Sequence, residues 1–191
     1  MSKKDLITID LNLTDVTRMI NGMAEAGRDT SPLMRKIAGL LAATTALNFQ
    51  DEGNPPWEPS AAAKARTGMT LSLSGHLRRS ITEKYDAGHA MVGTNVEYAA
   101  IHQLGGEVKH KSRDTLLYRR TDEHHNTVLN GFVKKRHANY VQKARIGAWT
   151  QVFVARPFLP VDADGKPQKG LEQKILTLAT DFLRGAANGR G

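Results

Sequence analysis

A serine and a histidine stand one residue apart in Ser74-Gly75-His76, the residue types of a nucleophile and the base that takes its proton. Activation needs the imidazole within hydrogen-bond reach of the hydroxyl and a third group orienting it. The strained G-x-S-x-G elbow that would present such a serine is absent. The better reading is a hydroxyl that caps a turn, followed by a glycine that allows close packing. Glu123, His124 and His125 are the nearest thing to a metal cluster. Neighbours in sequence point in different directions, however, and no second pair stands at ligand spacing. Asp162 and Asp164 flank a glycine turn, but Lys166 and Lys169 beside them argue against a calcium loop. Neither G-x-x-x-x-G-K-[ST] nor G-x-G-x-x-G occurs, so the common phosphate cradles are missing. The chain has no cysteine, which excludes disulfides, thiolate zinc sites and cysteine nucleophiles. No enzyme activity, cofactor or metal is expected.

Charge is the stronger signal. The 191 residues carry a net +8. Ten basic residues between 107 and 145 (Lys109, Lys111, Arg113, Arg119, Arg120, Lys134, Lys135, Arg136, Lys143 and Arg145) face only Glu107, Asp114, Asp122 and Glu123, which places +6 in this segment. Tyr118, Phe132 and Tyr140 are interleaved with the cations. Such a surface could hold phosphates while rings stack on bases. It could equally lie along an acidic protein neighbour with the aromatics as anchors, or be merely solvated.

The elements that position these residues can be read from periodicity. Residues 6–11 suit a short first strand. Val16, Met19, Ile20 and Met23 form one helical face, ended by Gly27. Ser31-Pro32 opens a second helix whose stripe Leu33, Ile37, Leu40, Leu41, Thr44 and Leu47 runs to about residue 50, roughly 30 Å at 1.5 Å per residue. The prolines and glycine between 53 and 59 break regular structure, and 60–68 is either a weak helix or a loop. A helix is expected over 71–79. A hairpin follows with strands 80–85 and 89–94, Gly88 supplying a positive φ in its turn. Asn95 should cap a helix over 98–104, with Tyr98, Ile101 and Leu104 facing the sheet and Gly105-Gly106 as the exit. Strand-like pieces lie at 116–119, 132–134 and 149–154. Pro157 and Pro160 make 155–160 an edge or crossing segment, leaving Arg156 to pair with a carboxylate and Phe158 to fill a pocket. Leu171, Ile175, Leu178 and Phe182 mark a last helix.

Helices and strand pairs mix without a βαβ rhythm, so the fold class is α+β: long N-terminal helices and a C-terminal helix packed on a small antiparallel sheet, with a basic insertion between strands. Residues 1–106 form the N-terminal part of a single domain and 107–148 the insertion or arm. Residues 149–184 supply the C-terminal strand and helix of the same domain, and 185–191 a flexible tail. The charged start lacks the apolar run of a signal peptide, and no stretch of about 18 apolar residues occurs, so a membrane is not expected.

Three blocks in order carry a resemblance. The first is Leu73-Ser74-Gly75-His76-Leu77-Arg78-Arg79-Ser80-Ile81. The second is Val92-Gly93-Thr94-Asn95, then Tyr98-Ala99, Ile101-His102-Gln103 and Gly105-Gly106. The third is Ala155-Arg156-Pro157-Phe158-Leu159. With a basic segment between the second and third, the chain resembles the phage virion morphogenesis (tail completion) family from about residue 33 to 182. The resemblance implies a non-enzymatic structural protein of the virion neck, assembled in the host cytoplasm and acting when heads and tails are joined. It also implies self-association in a ring, six- or twelvefold, contacts with neighbouring neck, head or tail proteins, and transient contact with packaged DNA. Tyr98, His102, Arg156 and Phe158 are the interface candidates. The ten cations named above are the candidates for contact with a protein partner or DNA. A nucleic-acid-binding protein using residues 107–145 is the alternative.

Overall fold

The computed structural model describes residues 14–25, 29–122, 132–162 and 164–187. The expected first strand, Gly27 and the Glu123-His124-His125 cluster lie outside them. The chain divides into two compact units, one of residues 1–106 with 153–191, the other of residues 107–152.

Helix α2 (Ser31–Gln50) is the spar of the first unit. Its N-cap is Thr30 rather than Ser31. The Thr30 hydroxyl donates to the Ala87 carbonyl, and the carboxylate of Asp29 accepts from the Ser31 amide at 2.9 Å. Leu33, Met34, Ile37 and Leu41 pack with Met23 of α1 (Thr14–Glu25) and with Leu171, Ile175 and Ala179 of α6 (Leu171–Ala187). The distal half of α2 departs from the expected stripe. Leu47 is exposed, while Thr45, Asn48 and Phe49 are buried. Phe49 belongs to a second core with Trp57, Leu77, Ala99, Phe158, Leu159 and Val161, so α2 must bury a different arc at each end. Helix α6 continues to Ala187, so the expected tail at 185 begins too early. Gly185 and two alanines extend the helix because nothing after Phe182 interrupts its hydrogen bonding.

Strands β1 (Thr82–Tyr85) and β2 (Ala90–Gly93) form an antiparallel hairpin that lies against α2. Gly88 is not among the positive-φ residues. The turn is held instead by the Asp86 carboxylate, whose Oδ1 accepts from the amides of Gly88 and His89, both at 2.8 Å. Ser60 caps the short α3 (Ala61–Ala65) by accepting from the Ala63 amide. The helix expected over 71–79 shrinks to α4 (His76–Arg79), because Leu71 and Gly75 both take left-handed φ (57° and 67°), which no helix tolerates. Helix α5 (Ala99–Leu104) is capped by Tyr98, not Asn95, and it is turned from its expected face. Ala99 and Gln103 point inward at i, i+4, while Tyr98 and Leu104 are exposed.

The second unit is built from strands. The chain enters along β3 (Gly106–His110), which pairs with β6 (Trp149–Phe153), and continues as β4 (Arg113–Arg119), which pairs antiparallel with β5 (Tyr140–Ile146). Strand β6 therefore belongs mainly with the insertion, whose boundary falls at 152 rather than 148, because its ladder partner is β3. Residues 132–134 are not a strand. They lead into a 3-10 turn (Lys135–His137), and Asn139 clips the ribbon end by accepting from the Thr121 amide at 2.8 Å and donating to the Thr121 carbonyl at 2.6 Å. The fold is α+β, with three two-stranded ribbons in place of one sheet.

Candidate functional site

The three signature blocks meet in the first unit, and their polar groups bond mostly to one another. Ser80 of the first block shares a 2.6 Å hydrogen bond with the hydroxyl of Thr94 in the second. Thr94 is buried and also accepts from the Val96 amide, so the pair pins the end of α4 to the exit of β2. His76 and Tyr98 are joined through Nδ1 and the phenol oxygen at 3.0 Å. Ser74 does not meet the His76 ring in a nucleophile–base pair. Its hydroxyl accepts from the His76 backbone amide at 3.3 Å, a turn cap.

The third block threads through the core as an irregular strand without ladder partners. Its backbone groups need other partners, because a buried unpaired amide costs about 1–3 kcal/mol. Gln103, Asn48 and Trp57 supply them. Gln103 Oε1 accepts from the amides of Phe158 and Leu159, each at 3.0 Å, and Gln103 Nε2 donates to the Val161 carbonyl at 3.0 Å. Asn48 donates to the Phe158 carbonyl and Trp57 Nε1 to the Pro157 carbonyl, both at 3.0 Å. In the sequence Gln103 stands out only as a letter of the second block, and Asn48 not at all. A polar residue on an otherwise apolar helix face, opposite a proline-broken segment, was the signal available for both.

Two of the interface candidates prove to be internal. Phe158 is 0% exposed, its ring 5.4 Å from that of Phe49. Arg156 is 8% exposed and meets no carboxylate among the described residues. Its Nε donates to the Glu58 carbonyl at 2.8 Å, because the block runs beside Glu58, whose backbone oxygen is within reach. The Arg156 amide donates to the His102 carbonyl at 2.7 Å, tying α5 to the third block. Gly105 lies against the same segment. With φ of 71° and a built Cβ 2.8 Å from the Ala155 amide nitrogen, only glycine fits.

The other two candidates face outward to different degrees. Tyr98 is 45% exposed. His102 is half-buried, its ring set edge-to-face between those of Tyr98 (5.9 Å) and Phe153 (5.8 Å). Its Nδ1 is buried with no hydrogen-bond partner among the described residues. Burial, with the Arg156 guanidinium nearby, holds the imidazole below its ordinary pKa and so favours its neutral form.

The cationic candidates are distributed over the second unit. Lys109 lies on β3, Lys111 and Arg120 just beyond strand ends, Arg113 and Arg119 on β4, Lys143 and Arg145 on β5, and Lys134, Lys135 and Arg136 at the 3-10 turn. All but Arg119 are exposed. Arg119 sits over the Phe132 ring, its guanidinium carbon 5.5 Å from the centroid, and its Nε is buried without a partner among the described residues. His110 stacks on Trp149 at 4.1 Å. No group of three or more His, Cys, Asp or Glu side chains among the described residues is placed to hold a metal. No helix there is long and apolar enough to cross a membrane.

Signature residues that bond mainly to each other preserve a shape, as the motif of a structural protein does. The chain belongs to the phage virion morphogenesis family, whose model matches residues 11–169. It is similar to Mu-like prophage FluMu G protein 2 of Haemophilus influenzae, 40% identical over 103 residues that cover 53% of this chain and 72% of the relative. It is also similar to the putative capsid assembly protein G of Escherichia phage Mu, 32% identical over 115 residues that cover 52% of this chain and 74% of the relative. No solved structure matches it.

Proposed function

We propose that this chain is a non-enzymatic building block of a tailed phage particle that acts at the neck, in head–tail joining or tail completion, as a ring-forming protein. The carrying observation is the distribution of its polar groups. Ser80, Thr94, Gln103 and Arg156 bond within the chain, so the signature stores a fold and not a reaction centre. What faces solvent is suited to contact: Tyr98 and Leu104 on α5, and the cations and apolar side chains of residues 107–152. The phage Mu relative's description as a capsid assembly protein agrees with this reading. Its neighbours are further copies of itself and the adjoining neck, head or tail proteins.

A phage carrying a stop codon in this gene tests the reading. Electron microscopy of its lysate should show filled heads and finished tails that remain separate, with joining restored by adding the purified protein. A lysate of joined, infectious particles would refute it.

A further inference from the structure

The second unit has a property that ordinary domains lack: among its described residues no side chain is buried. Both ribbons are two-stranded, and a two-stranded ribbon is at best marginally stable in water without a face packed on something else. Yet the unit is rich in large apolar side chains. Phe132 and Val152 are each 68% exposed, and Leu116, Val141, Ile146 and Trp149 are exposed as well. The ladder register sorts one face of β4–β5. Tyr118 lies opposite Val141, Leu116 opposite Lys143, and Asp114 opposite Arg145, so an apolar end grades into a charged one.

We infer that residues 107–152 form a docking arm whose exposed apolar side chains are covered, in the particle, by an acidic protein that is not another copy of this arm. Charge argues for the acidic partner, since ten cations against four acids repel a second +6 arm and attract an anionic face. The apolar side chains argue for protein over nucleic acid. Interfaces with DNA are polar and cationic, whereas Leu116, Val141 and Val152 would be left against phosphates and Asp114 would meet them with its own charge. Cations around buried aliphatic and aromatic anchors match the rim and core of a protein interface. This inference rests on the particle reading above and adds the class of partner and the surface that takes it.

The test places a photoreactive residue on the arm of the full chain, Leu116→p-benzoylphenylalanine in one variant and Val152→p-benzoylphenylalanine in another, each supplied to the stop-codon phage. Complete particles are purified and irradiated. Both positions should cross-link to one virion protein of net negative charge. Adding Lys143→Glu and Arg145→Glu should lower the yield by about tenfold or more, while Lys143→Arg should leave it unchanged. Cross-links to packaged DNA or only to this chain, or none although the chain is in the particle, overturn the inference. Particles that lack the chain altogether overturn the particle reading instead, so the two failures are distinguishable.

Discussion

Gln103 Oε1 lies 3.0 Å from the amide nitrogen of Phe158 and accepts its hydrogen bond inside the protein. The same oxygen serves Leu159, and the side-chain nitrogen of Gln103 serves Val161, so one side chain pairs three backbone groups of a segment that has no ladder partner. Gln103→Leu keeps the volume and removes every one of these bonds. It should lower stability by about 3–5 kcal/mol, since two buried amides and a carbonyl lose their partner together. Urea unfolding, with the m value unchanged, checks this.

Phe158→Ala should cost a similar amount, about 3–5 kcal/mol, by opening a cavity against Phe49 and Trp57. If Phe158 instead reached a neighbouring subunit, the purified monomer would lose little. Unfolding of the monomer separates the two.

Gly105→Ala forces a Cβ to within 2.8 Å of backbone at Ala155 and holds alanine at a φ of 71°. The expected loss exceeds the roughly 1 kcal/mol of an ordinary left-handed substitution, because backbone cannot step aside as a side chain does. Thermal melting should show it clearly.

Not all of this was legible in the sequence. Helical periodicity located α1, α2 and α6, and the Asp86-Ala87-Gly88 turn located the β1–β2 hairpin, because local signals suffice to set those elements. The inward face of α5 was missed because it is chosen by a hydrogen-bonding glutamine and not by the apolar residues flanking it. Strand β5 was missed because its exposed pattern carries no alternation for a core to impose. Arg156 looked like a partner for a carboxylate, and only the chain path beside Glu58 shows that a carbonyl receives it. The motif blocks conveyed the family without conveying that their polar groups bond mainly to each other.

His102 links stability to pH. Its folded pKa is depressed below the ordinary 6.5, so the unfolded chain takes up the proton first. The stabilisation is complete above 6.5 and is lost as pH falls from there through the folded value. His102→Gln should remove that part of the dependence. Comparing the slopes of stability against pH for the two proteins between about 7 and 5 isolates it from the other histidines.

Lys134, Lys135 and Arg136 are exposed around the 3-10 turn. Replacing all of them with alanine should leave stability within about 0.5 kcal/mol, as for other surface changes. Particle assembly should fall nevertheless, because the arm loses half of its charge excess. Unchanged infectivity would remove this cluster from the mechanism.

The proposed function requires the protein to hold a fixed position in the finished particle. Counting its copies by quantitative mass spectrometry of gradient-purified, infectious virions tests that most directly. A constant small number per particle is expected, consistent with a ring and unchanged by high-salt washing. Infectious virions without the protein would contradict it.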